Sequence, residues 1–211
     1  MTRAACMAVG TIAVLASLVA LPGCFPLAAI GAAGTVAAVV DDRRTHDARS
    51  EDGRAEGRAI ERLKHLWGDR ARVRVTAYNG TVLLTGLAPD AKARDEIERA
   101  VISASGAKRV TNEIEVGRVD QDGSTRTGDA LLATRVRARF LDAGRFNPTH
   151  VAVVTDAGIV YLMGIVTAAE AGDAVEIART TSGVRKVVKI FEYCRPADEV
   201  CRTDAPAPAG R

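Results

Sequence analysis

Few side chains in this sequence are placed for catalysis. The three histidines, His46, His65 and His150, stand far from one another and from the four cysteines. Acid–base catalysis and metal binding need such groups at fixed spacings, and the sequence has no G-x-S-x-G, Walker A or H-E-x-x-H pattern. We therefore expect a protein that is not an enzyme, with no metal site and no cofactor.

A second kind of chemistry, the binding of anions, is suggested by arginines on a predicted helix between residues 128 and 141. Leu132, Val136 and Phe140 recur every four residues, so we expect them to enter a core. Arginines lie beside this apolar face, in a row of Arg135 and Arg139 with Arg137 farther round the helix. The helix region, residues 128–145, carries a net charge of +2.

Guanidinium groups beside an exposed apolar side chain suit a membrane surface. They can donate to lipid phosphates while the apolar side chain enters between the headgroups. Each charge near an anionic surface contributes about 1 kcal/mol, reduced by salt. From the residues alone, a helix face that is merely solvated remains open. The candidate phospholipid-binding residues are Leu131, Thr134, Arg135, Arg137, Ala138 and Arg139.

The N-terminus is typical of an exported protein. Arg3 precedes an apolar run that ends in Leu21-Pro22-Gly23-Cys24. Such a run predicts a secretory signal, although it is long enough for a retained membrane helix. The run also resembles the lipobox of bacterial lipoproteins, which implies a signal peptide over residues 1–23 and acylation of Cys24, palmitate included. Phe25, in place of aspartate after the cysteine, implies sorting to the outer membrane, facing the periplasm.

Residues 24–52 are predicted to connect the lipidated cysteine to the folded part. The apolar run 25–40 would rise only about 24 Å as a helix, short of a hydrocarbon core of about 30 Å. It is therefore either a mobile tether or a segment that lies along or enters the leaflet. The charged stretch from Asp41 onward is predicted to be a linker.

Two cysteines, Cys194 and Cys201, remain in the mature chain after the signal and the acylated cysteine are set aside. In an oxidising compartment they favour a local disulfide over two free thiols. Without a nearby histidine they make a poor zinc site.

Two hairpins set the organisation of the chain. Asn79-Gly80 is a strong signal for a tight turn, because a type I′ turn needs positive φ at both central residues. A related pattern surrounds Gly158, 78 residues later (158 − 80). We therefore predict two small related domains. Domains of about 65 residues bury only about 60% of their unfolded surface, so we expect the two to share an interface.

Each repeat is predicted to have the order α-β-β-α-β. In the first, the predicted elements are a helix at 57–67, strands at 73–77 and 81–85, a helix from 89 to about 103 and a strand at 110–116. In the second, they are a helix from 129 to about 143, strands at 150–155 and 159–166, a helix from 168 to about 181 and a strand at 184–193. Thr167 and Glu170 predict a capping box.

This order and the V-x-L-x-G hairpin resemble the BON domain. The matching stretches are residues 75–86, Asn112-Glu113-Ile114, residues 160–167 and residues 182–187. Two such repeats behind a lipobox resemble the dual BON-domain outer-membrane lipoproteins, the DolP-like family. The resemblance implies an α+β fold, with the helices of each domain packed on a three-stranded mixed sheet. The predicted domains are 53–118 and 128–195, with a hinge at 119–127 and a tail at 196–211.

The resemblance also implies a function. DolP-like proteins are associated with binding anionic phospholipid, of the phosphatidylglycerol type, through the first helix of the second domain, and with envelope integrity. The match at Thr134-Arg135-Val136-Arg137 carries this expectation, with the inner leaflet of the outer membrane and envelope proteins as partners. A non-enzymatic adaptor for envelope or cell-wall machinery is the alternative. Nucleic acid is not expected, because aromatic residues make up only 4% of the chain and its net charge is +3.

Overall fold

The computed structural model describes residues 42–119 and 124–201. The predicted signal peptide, the lipidation site Cys24, the apolar tether and most of the predicted tail lie outside these residues.

Each repeat folds as α-β-β-α-β, as predicted, and the α+β fold class is confirmed. The first domain contains α1 (His46–Trp67), β1 (Arg72–Tyr78), β2 (Thr81–Ala88), α2 (Ala91–Ser105) and β3 (Arg109–Val116). The second contains α3 (Ser124–Ala143), β4 (Ala152–Asp156), β5 (Ile159–Val166), α4 (Ala168–Arg179) and β6 (Lys186–Tyr193). Short 3₁₀ turns follow at Gly68–Arg70, Pro148–His150 and Glu199–Cys201.

Both sheets are mixed, with the middle strand antiparallel to the first and parallel to the third. The hairpins turn at Asn79-Gly80, with φ of 50° and 80°, and at Ala157-Gly158, with φ of 48° and 77°. The second turn thus has the same backbone with alanine in the place of asparagine. The two helices of each domain cover one face of its sheet and enclose a separate apolar core.

The first helix corrects the predicted linker. The stretch up to residue 52 is already helical from His46, because Thr45 caps the helix by accepting a hydrogen bond from the Ala48 amide at 3.1 Å. Asp52 is buried rather than solvated, so the charge density of this stretch does not indicate a linker. The end of the predicted hinge is likewise helical, since α3 begins at Ser124.

The two domains share the expected interface. The sheet faces that the helices leave uncovered meet, and an apolar cluster joins them (Tyr78, Leu83, Tyr161, Met163 and Ile165). At its margin, Arg74 donates to the Thr155 carbonyl at 2.9 Å, and Asn79 donates to Glu192. This interface buries the side of each sheet that would otherwise expose apolar surface to water.

The segment before α1 holds both domains. The Arg43 side chain is buried against the second domain, where it contacts both carboxylate oxygens of Glu170 at 2.7 and 2.9 Å and donates to the Ile165 carbonyl. Its neighbour Arg44 stays with the first domain and stacks over the Tyr78 ring at 4.1 Å. Residues 42–44 therefore act as a clasp between the domains.

The end of β6 is closed by a disulfide between Cys194 and Cys201, whose Cα atoms are 6.2 Å apart. The Cys194 amide donates to the Val166 carbonyl at 3.0 Å, and the Cys201 carbonyl accepts from Arg43 at 3.4 Å. The predicted cysteine pair thus lies beside the clasp.

Candidate functional site

The helix α3 carries the predicted site, and its inner face fixes it in the second domain. Leu132, Val136 and Phe140 are buried in the core, as predicted. At the start of the helix, the Asp129 carboxylate accepts the amides of Ala157 and Gly158 at 2.9 and 3.0 Å. The hairpin turn is therefore held directly by the helix that carries the site.

The opposite side of α3 is exposed and largely apolar. Leu131 and Leu141 are 61% and 67% exposed. Thr134 and Ala138 lie between them at the three-and-four spacing of one helical face, and both are exposed. We name these four residues the α3 outer face. Leu141 was not among the candidates chosen from the sequence. Its three-and-four spacing from Leu131, Thr134 and Ala138 could have indicated that it lies on the same helical face.

The candidate arginines extend from two sides of α3, with Arg135 and Arg139 directed to the end of α4 and Arg137 directed to β4. Arg135 donates to the Ser182 carbonyl at 2.8 Å, and Arg137 donates to the Val153 carbonyl at 2.6 Å on the other side of the helix. Both side chains remain exposed beside the α3 outer face. Each guanidinium keeps further N–H donors, because it has five and the carbonyl uses one.

Arg139 has a different environment. Its Nη1 donates to the Ile177 carbonyl at 3.0 Å and to the hydroxyls of Thr180 and Thr181 at 3.1 and 2.9 Å. These acceptors lie at the C-terminal end of α4, where a cation is favourable because the carbonyls there lack helical partners. Arg139 is thus turned toward its own domain and joins α3 to α4.

The first domain provides an internal comparison, because α1 and α3 align with an offset of 77 residues (129 − 52, from the buried aspartates at the start of each). The α1 positions that correspond to the α3 outer face are Arg54, Gly57, Glu61 and Lys64. The same outward surface is therefore charged in the first domain and apolar in the second.

Metal chemistry has no support in the parts of the chain that are described. Across residues 42–119 and 124–201, no cluster of three histidine, cysteine, aspartate or glutamate side chains could hold a metal ion. His150 is buried with its Nδ1 at 3.2 Å from Glu170, beside Arg43. None of the helices in these ranges combines the length and apolar character that a membrane crossing needs.

Comparison with known proteins identifies both repeats. The BON domain model matches residues 57–118 and 128–195. The outer membrane lipoprotein DolP of Haemophilus influenzae is 32% identical over 182 residues, which cover 85% of this chain and 93% of that protein. The 21 kDa hemolysin of Actinobacillus pleuropneumoniae is 35% identical over 125 residues, covering 59% of this chain and 64% of that protein.

The two matched ranges agree with the two sheets and their helices, and the similarity to DolP extends over most of both chains. The chain therefore belongs to the BON-domain family, as an outer-membrane lipoprotein with two BON domains.

Proposed function

We propose that this lipoprotein faces the periplasm and binds anionic phospholipid of the phosphatidylglycerol type through the α3 outer face, and that it supports envelope integrity in this way without catalysis. One observation carries the proposal: the outward surface of the first helix is charged in the first domain and apolar in the second.

The two exposed leucines account for insertion. Leu131 and Leu141 lie on one face and are free to move from water into the acyl boundary. Burial of a leucine side chain contributes about 1.5–3 kcal/mol when complete, and these two begin more than half exposed. The gain from the pair adds to that from the arginines, and the anchor strengthens the contact further because it makes the contact effectively intramolecular.

The flanking arginines account for the preference for anionic lipid. Arg135 and Arg137 stand on either side of the α3 outer face and are hydrogen-bonded to backbone carbonyls, not to carboxylates, within the part of the chain that the structure describes. Each positive charge at an anionic surface contributes about 1 kcal/mol at low salt. Arg139 contributes less to the lipid, since it is half-buried and its Nη1 is bonded to groups at the end of α4.

The test is co-sedimentation with neutral vesicles and with vesicles that contain phosphatidylglycerol. A soluble form should begin at residue 41, so that it keeps the Arg43 contacts to the second domain. The variant is Leu131→Ser/Leu141→Ser. Ile60→Ser/Ile102→Ser is the matched control, because these isoleucines are 50% and 51% exposed on the helices of the first domain.

We expect the unaltered protein to bind anionic vesicles only, more weakly as salt rises. The α3 variant should lose most of this binding, whereas the control should keep it. A folded protein that fails to bind anionic vesicles would overturn the proposal, and the adaptor function would then take its place.

A further inference from the structure

A basic notch opens beside the α3 outer face, at the hairpin end of the second domain. It has a volume of about 360 Å³ and is lined by Arg135 and Arg185, with glycines at 128, 158 and 183 leaving the space open. Both arginines are exposed. Asp129 also lines the notch, but it is buried and both of its carboxylate oxygens accept hairpin amides.

The first domain has an arginine at the corresponding position, but there the arginine is paired with an acidic side chain. Arg58 corresponds to Arg135 and donates to the Ser105 carbonyl at 2.6 Å, as Arg135 donates to the carbonyl of the corresponding residue Ser182. Its guanidinium also pairs with Glu51 at 2.7 Å, and this hydrogen bond lowers the pKa of Glu51. The residue that corresponds to Glu51 in the second domain is Gly128. The second domain thus keeps the arginine and lacks its acid.

The side of the notch that carries Arg185 has a counterpart in the first domain. Arg185 corresponds to Lys108, and each side chain lies against the turn glycine of its hairpin, Gly158 or Gly80. Arg185 donates to the Ala157 carbonyl at 3.2 Å, which leaves most of its N–H groups to solvent. Arg135 and Arg185 therefore face one open space with no carboxylate bound to either within the described residues.

We propose that the notch binds a single phosphate group, the phosphodiester of a lipid headgroup, between the guanidinium groups of Arg135 and Arg185. This inference rests on the proposed function. Two guanidinium forks match the oxygens of a phosphate and form charge-assisted hydrogen bonds. Leu131 lies one turn before Arg135 on the same helix, so a headgroup in the notch has its acyl chains beside the exposed leucine.

The repeats provide a matched pair of variants. Gly128→Glu restores the acid of the first domain beside Arg135, and Gly57→Glu adds the same residue and the same charge to α1. A Cβ added at either glycine would have no other atom within 4 Å, so both variants should fold. Arg185→Gln and Lys108→Gln form a second pair. Binding is measured by co-sedimentation with phosphatidylglycerol vesicles, using the chain from residue 41, which contains both cores and the clasp.

We expect Gly128→Glu and Arg185→Gln each to weaken vesicle binding about fivefold, the effect of one charge at an anionic surface. Gly57→Glu and Lys108→Gln should change it less than about twofold. The contradicting outcome is that the unaltered protein binds anionic vesicles while the two variants of each pair bind them with equal affinity. In that case the notch is not the headgroup site and the inference is wrong, whereas the proposed function stands.

A titration with glycerol phosphate, followed through the amide NMR signals of Gly158 and Gly183, separates a lipid from a free phosphate. Shifts that Gly128→Glu abolishes, together with vesicle binding, support the headgroup assignment. Shifts without vesicle binding would mean a soluble phosphate ester and would contradict the proposed function. If glycerol phosphate causes no shifts and the protein does not bind anionic vesicles, both the headgroup site and the proposed lipid binding are wrong.

Discussion

Two buried aspartates perform the same task in the two repeats. Asp52 accepts the amides of Asn79 and Gly80 at 2.7 and 2.8 Å, and Asp129 does the same for the second hairpin. A turn with positive φ at both central residues directs these amides to the same side, so one carboxylate satisfies both donors. In each domain, one carboxylate thereby connects the first helix to the hairpin turn.

Replacement of this carboxylate should be costly. We expect Asp129→Asn to lower the free energy of unfolding by about 1–3 kcal/mol, because each turn amide bonds a different carboxylate oxygen and asparagine has only one, which leaves a half-buried donor without its partner. Urea denaturation measures the loss. Asp142→Asn, at an exposed position of the same helix, is the control and should be neutral. Equal stabilities of the two variants would contradict the role of Asp129.

Glu170 gives the clasp a dependence on pH. Burial alone would raise the pKa of its carboxyl, but hydrogen bonds from Arg43 and from the Thr167 amide, with the charge of Arg43, hold the pKa at about 2. The pKa is thus lower in the folded state than the usual 4.5. The stability from this group is complete above pH 4.5 and is lost as the pH falls toward 2.

Denaturation between pH 6 and pH 2 checks this dependence. The shift corresponds to about 3 kcal/mol of stability that should disappear across the acidic range. We expect Arg43→Ala to lower stability at neutral pH and to flatten the curve below pH 4.5. Arg49→Ala should retain the full dependence, since Arg49 is only half-buried and lies 3.9 Å from its acidic partner Asp42, away from Glu170. An unchanged curve in Arg43→Ala would show that the clasp does not set the pKa.

At the scale of elements, the sequence was most informative where local chemistry decides the structure. The Asn-Gly turn, the strand Ile159–Val166 and the capping box of Thr167 and Glu170 are confirmed. These features depend on φ preference, apolar runs and hydrogen bonds within a few residues. They need no knowledge of the rest of the molecule, which is why the pattern alone predicts them.

The start of α1 shows where such reasoning fails. The charged stretch before Gly57 predicts a linker, yet Asp52 and Arg43 are buried by partners 27 and 127 residues away in sequence. The partners of the α3 arginines were likewise not predictable from the sequence. Helical spacing places Arg135 and Arg139 on one side of α3, but only the tertiary structure supplies their acceptors, the carbonyls of Ser182 and Ile177.

The pairing of β1 with β2 in the first sheet requires glycine at position 86. It has φ of +124°, and a Cβ there would lie 1.8 Å from the Arg72 carbonyl oxygen. We expect Gly86→Ala to destabilise the protein by about 3 kcal/mol or more through strain and displacement of β1. Gly57→Ala, in open space on α1, should instead stabilise it by about 0.5–1 kcal/mol. Thermal unfolding of both variants is the measurement, and a tolerated Gly86→Ala would contradict the observed strand pairing.

At the scale of the whole molecule, the two domains use their faces for different purposes. The sheet faces without helices are buried in the domain interface, and Arg43 of the clasp binds Glu170 of the second domain. What remains exposed is the outer surface of the helices, charged on α1 and apolar on α3. In the proposed function, the apolar outer surface of α3 is the one that contacts the membrane.

The most direct test of lipid contact through α3 is the depth of a tryptophan in the membrane. In a Trp67→Phe background, Leu131→Trp and the corresponding Arg54→Trp are compared in the acylated chain, anchored in phosphatidylglycerol vesicles with brominated acyl chains. We predict a blue-shifted, strongly quenched emission for the tryptophan at position 131 and a solvent-like, unquenched emission at position 54. Equal emission and quenching at the two positions would contradict the assignment of α3 as the lipid-binding helix.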